Sequence, residues 1–87
     1  MYEKFLIEKV FKITGIGTVV VGRVTDGQIR IGNKLNLEGN EMEIKLIEVE
    51  HKNVEFASRG QEKVSIALKN DNYDLLKNKE GTEIKFE

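Results

Sequence analysis

The chain of 87 residues has no cysteine, no proline and a single histidine. Without cysteine, disulfides and thiolate metal sites are excluded, and the core must hold without covalent staples. A zinc site would need carboxylates gathered around His51, an unusual donor set; an exposed strand histidine is the simpler reading. No apolar run approaches the ~20 residues of a membrane-spanning helix. Met1-Tyr2-Glu3-Lys4-Phe5 does not read as a basic leader before an apolar stretch. The expectation is a cytoplasmic protein with no membrane contact. A surplus of one charge is lacking too, with 14 Lys and Arg against 15 Asp and Glu. Duplex-DNA binders draw most of their affinity from phosphate neutralisation and are usually strongly basic, so that class is disfavoured.

Catalytic signatures are also missing. A Ser–His–acid set would have to use Ser58 or Ser65, and neither stands in a nucleophile elbow. No phosphate loop is present. Gly15-Ile16-Gly17 lacks the third glycine and following helix of a dinucleotide fingerprint. The pairs Glu41/Glu43 and Glu48/Glu50 have the spacing of one strand face and read as solvated carboxylates. No enzyme activity, cofactor or metal is expected.

What the chain does have is eight glycines punctuating short apolar runs, the pattern of turns between strands. Phe5, Ile7, Phe11 and Ile13 share one parity, which predicts a half-buried strand over 5–13. Thr14 to Gly17 breaks it. Thr18 to Val24 holds four valines and predicts a second strand. Asp26-Gly27 is a hairpin signal with Ile29-Arg30-Ile31 as the return strand, and Gly32-Asn33 is a further turn before the strand 34–37. Residues 41–56 are ambiguous. Met42, Leu46, Val49, Asn53 and Phe56 have helical spacing, whereas Ile44, Leu46 and then Ile47, Val49 fit a strand whose parity switches at a bulge. Propensity leaves these nearly even; strand is favoured because a lone helix among strands would need its own cover. Val64 to Leu68 and Thr82 to Phe86 alternate as strands, and Tyr73 to Lys77 is long enough for one turn. The expectation is a single all-β domain over 1–87, a small closed antiparallel barrel of six or seven strands. A closed barrel leaves no strand edges exposed to aggregation.

The segment from Ile7 to Gly32, with Val10-Phe11-Lys12-Ile13, Gly15-Ile16-Gly17-Thr18-Val19, Gly22-Arg23-Val24 and Ile31-Gly32, resembles the opening of domain two of elongation factor Tu and related translation GTPases. Weaker echoes run through Val49-Glu50, Gly60 to Leu68 and Gly81 to Ile84. The resemblance implies a stand-alone, non-catalytic barrel whose valine run packs inside, with turns or corners at Gly15, Gly17, Gly22, Asp26, Gly27 and Gly32. Arg23 is expected to bridge strand ends. By position, Glu8, Ile13, Gly15, Val19 and Glu50 match residues lining the family's pocket for the terminal adenosine of tRNA; Lys52 and Asn53 fall beside it. Ile16 and Asn53 stand where the family often has arginine, which removes positive charge. The GTPase domain that helps clamp the aminoacyl group is not within these residues, so aminoacyl-tRNA delivery is not implied. The implied partners are tRNA, ribosomal RNA or a ribosome-associated protein. The alternative is a protein-interaction or self-associating module with no RNA role, for which Ile16 and Phe56 are candidate exposed apolar contacts.

Overall fold

The computed structural model describes residues 2–87. Nine strands and one short helix follow in the order β1 (Glu3–Ile13), β2 (Gly17–Asp26), β3 (Gln28–Arg30), β4 (Lys34–Leu37), β5 (Asn40–Val49), β6 (Lys52–Val54), β7 (Phe56–Ser58), β8 (Val64–Lys69), α1 (Tyr73–Lys77) and β9 (Glu83–Phe86). The antiparallel path β4-β5-β8-β2-β1-β9 forms a nearly closed six-stranded barrel, with β6 added on β5. Two backbone hydrogen bonds of 2.7 Å, exchanged between Lys34 and Glu87, bring the last strand back to β4. The expected small antiparallel barrel is therefore the observed one.

Strand parity explains the core and its exceptions. Phe5 and Ile7 point inward from β1. A register shift between Ile7 and Lys9 then inserts Glu8 as an extra residue, and a bulge of this kind exchanges the two faces of a strand. Val10 turns inward instead, and Phe11 and Ile13, expected on the face of Phe5 and Ile7, lie exposed outside. The same device operates in β5. Met42 and Ile44 are buried, the register shifts between Ile44 and Leu46, and Ile47 and Val49 are buried after it. Residues 41–56 are thus strand with a bulge, and Leu46 is left outside. The valine run splits as well: Val20 and Val24 are buried, while Val19 and Val21 are half-buried on the outer face.

Two further expectations need correction. Asp26-Gly27 is not a hairpin turn, since β3 pairs with β7 and not with β2. The chain leaves the barrel sheet there so that Ile29 and Ala57, both fully buried, can join the core. Gly22 is not at a turn. It lies within β2 opposite Ile7, beside the bulge, where a side chain would run into the Leu6 carbonyl of β1. Gly15, Gly17, Gly27 and Gly32 do lie at turns or strand ends, all with positive φ.

Helix α1 is one turn anchored by the buried Leu76. The Asn72 carboxamide oxygen accepts from the Leu75 amide at 3.1 Å, which satisfies one of the free donors at the helix start. Beyond the helix, the Glu80 carboxylate accepts from the Val10 amide at 2.8 Å, so it covers a donor of β1 that has no strand partner there.

Candidate binding face on the outside of the barrel

The outer surface of β1, β2, β8 and β5 is built in rows by the registers of these strands. Phe11 lies opposite Val19, Val19 opposite Ala67 and Ala67 opposite Leu46. Two residues along each strand, Lys9, Val21, Ser65 and Glu48 form the next row. Because both bulges turn large apolar residues outward, the first row is unusually apolar. Phe11 is 47% exposed and Leu46 42%, and Ile13 and Ile16 from the hairpin tip are exposed to 41% and 40%. With Val19 and Ala67 they enclose a cavity of about 210 Å³. Exposed apolar side chains gathered in this way make this face the candidate contact surface.

A second cavity of about 520 Å³ adjoins it and shares Val21, Glu48 and Ser65 with it. Glu50, His51, Glu62 and Lys63 complete its lining. A third depression contains Glu8, Arg23, Glu62 and Lys63. The three are therefore continuous across the face, apolar at the hairpin end and acidic in the middle. The Arg23 guanidinium stands 4.0 Å from the Glu8 carboxylate, and both side chains are about half exposed, so this pair stabilises little.

The hairpin tip is held from two sides. The Lys45 ammonium donates to the Ile16 carbonyl at 2.8 Å. The Asp71 carboxylate accepts from the Thr18 amide at 2.8 Å. Contact with Thr18, through its side chain first and its amide next, holds the Asp71 carboxyl below its ordinary value against a partial desolvation. The Thr18 hydroxyl itself completes no hydrogen bond of good geometry, so the amide donates the bond that holds the carboxylate. A carboxyl depressed on folding adds stability above its unfolded pKa, and that stability is lost as pH falls through the folded value. Asp71→Ala should therefore lower the melting temperature at neutral pH. The gap to the unsubstituted protein should close below roughly pH 4, as Asp71 takes up its proton. Melting curves between about pH 2 and pH 7 check this, and a gap constant with pH contradicts it.

The β5–β6 connection also carries strain into the acidic cavity. Glu50 and His51 form a two-residue turn with φ of 53° and 65°. Positive φ at both positions is the pattern for which Asn-Gly is preferred. The equivalent turn between β4 and β5 has a glycine, Gly39, at its second position. Changing Glu50→Asn together with His51→Gly should stabilise by about 1–2 kcal/mol, with a melting temperature several degrees higher. An unchanged or lowered melting temperature would show that the turn is not strained as described.

The family model for elongation factor Tu domain 4 matches residues 3–84. The chain belongs to this elongation factor Tu family of β-barrel domains. The match fixes the barrel type and not its number in the order of domains, which the sequence resemblance placed at two. Elongation factor 1-alpha of Archaeoglobus fulgidus is 43% identical over 56 residues, covering 62% of this chain and 13% of that protein. The same factor of Methanococcus maripaludis is 46% identical over 56 residues with the same coverage. The crystal structure of translation elongation factor SelB from Methanococcus maripaludis in its apo form superposes with a TM-score of 0.83 at 25% identity, covering all of this chain and 18% of that one. The chain thus spans 13% of these curated relatives' length. It is a non-catalytic barrel domain of the translation GTPases, whose GTPase activity lies in a separate domain.

In this elongation factor barrel, Ile13 and Val19 line the apolar groove, Glu50 lines the acidic cavity and Glu8 the third depression. Gly15 is at the hairpin tip beside Ile16, and Lys52 is exposed on β6 one residue past the strained turn. Neither of these two lines the groove. Ile16 and Phe56 are both exposed, but Phe56 stands elsewhere, with the Arg30 guanidinium 5.4 Å from its ring. His51 is exposed in a turn and not in a strand. Phe11, Leu46, Ala67, Glu62 and Lys63 are part of the face without having been site candidates in the sequence, and Glu48, read there with Glu50 as a solvated carboxylate, joins them. The polar pair Glu8-Lys9, interrupting an alternating strand, was the available signal for Phe11.

Among the described residues, no cluster of three or more His, Cys, Asp or Glu side chains could hold a metal ion. No helix of the described residues is long and apolar enough to cross a membrane.

Proposed function

We propose that residues 1–87 form one cytoplasmic, non-catalytic binding module that contacts RNA or a ribonucleoprotein of the translation apparatus through the outer face of β1, β2, β8 and β5. The observation that carries this reading is the exposed apolar groove at the first row of that face. Family membership supplies the class of partner: the barrel belongs to translation factors, and tRNA, ribosomal RNA and ribosomal proteins are what such factors meet. Ile13, Val19 and Glu50 are the proposed contacts, with Glu8 at the far end of the face and Gly15 and Lys52 at its margins. The test is sedimentation with ribosomes through a sucrose gradient at low and high salt, with gel shifts on tRNA and ribosomal RNA fragments. Association at low salt that weakens with salt supports the reading. Absence of binding to ribosomes and to RNA at low salt contradicts it.

A second reading, a protein-interaction module with no RNA role, is favoured by one observation. Four large apolar side chains, Phe11, Ile13, Ile16 and Leu46, are exposed together. Light scattering decides its self-associating form: a strict monomer at high concentration excludes it.

A further inference from the structure

We infer that the outer face receives an extended protein segment of the ribonucleoprotein partner, carrying a bulky apolar side chain at one position and an arginine or lysine two residues on. This rests on the proposal that the outer face is the contact face, and it goes beyond it by assigning the chemistry of the occupant. The apolar groove offers walls of Phe11, Leu46 and Ile16 around a floor at Ala67, which is buried although it points away from the core. Seven apolar side chains line it. A second folded copy would bring about 20–30 residues per side to a stable interface; this groove is sized for one anchoring side chain of a segment.

The charge of the adjoining cavity selects the rest of the occupant. Glu48, Glu50 and Glu62 line it with Lys63 as the one ammonium. None of these three carboxylates takes part in an ion pair among the described residues, whereas Glu8, Glu41 and Glu43 each do. A phosphate entering here would face uncompensated carboxylates, and a cationic side chain would neutralise them. Lys9, the basic residue of the same row, stands at its far end on β1, and Arg23 lies in the third depression, 4.0 Å from Glu8.

Geometry then sets the spacing. The groove row and the row that holds Glu48 are two residues apart along β2, β8 and β5, about 7 Å at the rise of an extended chain. An extended segment laid along these strands presents side chains i and i+2 on one face at the same interval. An apolar anchor over Ala67 therefore places the residue two further on over Ser65, beside Glu48 in the same row.

The experiment is an amide NMR titration of the full chain with two synthetic peptides of sequence Gly-Ser-Leu-Ser-Arg-Ser-Gly and Gly-Ser-Leu-Ser-Glu-Ser-Gly. A third probe is a CCA-ended oligoribonucleotide. The arginine peptide should shift the amides of Ser65, Ala67 and Glu48 and bind about ten-fold more tightly than the glutamate peptide. Glu48→Lys combined with Glu62→Lys should reverse that preference, with the melting temperature as control for folding. Equal binding of the two peptides, or no shift with either, overturns the inference. So does an oligoribonucleotide that moves these amides where the arginine peptide does not. That last outcome leaves the proposed RNA contact standing, and ribosome sedimentation tests that contact independently of the peptides.

Discussion

Gly22→Ala is expected to be the most damaging single substitution in the chain. A Cβ at this position would lie 1.8 Å from the Leu6 carbonyl oxygen and 3.0 Å from the Phe5 ring. Gly22 is buried in extended β2, so its role is close approach and not an unusual φ. It stands where the Glu8 bulge presses β1 against β2. Overpacking in a well-packed interior costs about 1–3 kcal/mol when side chains can shift. Here the obstacle is backbone within the longest strand pair, so more than about 3 kcal/mol is expected. Small domains have about 5 kcal/mol in all, and Gly22→Ala should leave a large unfolded fraction without denaturant. Gly15→Ala is the control. It has a φ of 85° but nothing within 4 Å of the added carbon, so it should lose only about 1–2 kcal/mol. Urea denaturation of both variants checks the comparison; equal midpoints would mean that the bulge and its close approach are misplaced.

Phe86→Ala should come second. Phe86 and Phe5 are fully buried and meet edge to face, with centroids 6.5 Å apart. Phe86 also lies beside the backbone exchange between Glu87 and Lys34 that returns β9 to β4. Truncating a buried phenylalanine costs about 3–5 kcal/mol, and here the cavity would open at the barrel's seam. The expected result is a melting temperature lower by more than 10 °C, on the order of that loss divided by the unfolding entropy of a domain this size. It should come with early hydrogen exchange in β9 and β4. A loss shared evenly along all strands, with no local exchange at the seam, would contradict the role given to this residue.

Much of the barrel was legible because its turns are marked by glycine and its strands by parity. The match from Ile7 to Gly32 added the topology class that alternation alone cannot supply. What stayed hidden follows from two bulges and from long-range pairing. Phe11 and Leu46 read as inward residues under strict alternation, and each is turned out by one inserted residue earlier in its strand. In β5 the parity change could be read, since Ile44 and Ile47 cannot otherwise share a face. In β1 it was masked, because Phe11 and Ile13 suit an apolar face of either parity. The pairing of β3 with β7 joins segments about 28 residues apart and has no local signature. The acidic cavity is hidden for the same reason. Glu62 and Lys63 reach Glu48 and Glu50 only because β8 pairs with β5.

The most direct test of the outer face as the contact surface is ribosome sedimentation with paired surface variants. Phe11→Ser with Leu46→Ser alters the groove, and Tyr2→Ser with Ile31→Ser alters exposed apolar residues outside it. All four side chains are 42–48% exposed, so both double variants should melt close to the unsubstituted protein. The groove variant should no longer sediment with ribosomes at low salt, while the control variant sediments as before. Retention of ribosome binding by the groove variant, or its loss in the control alone, would contradict the outer face as the site of contact.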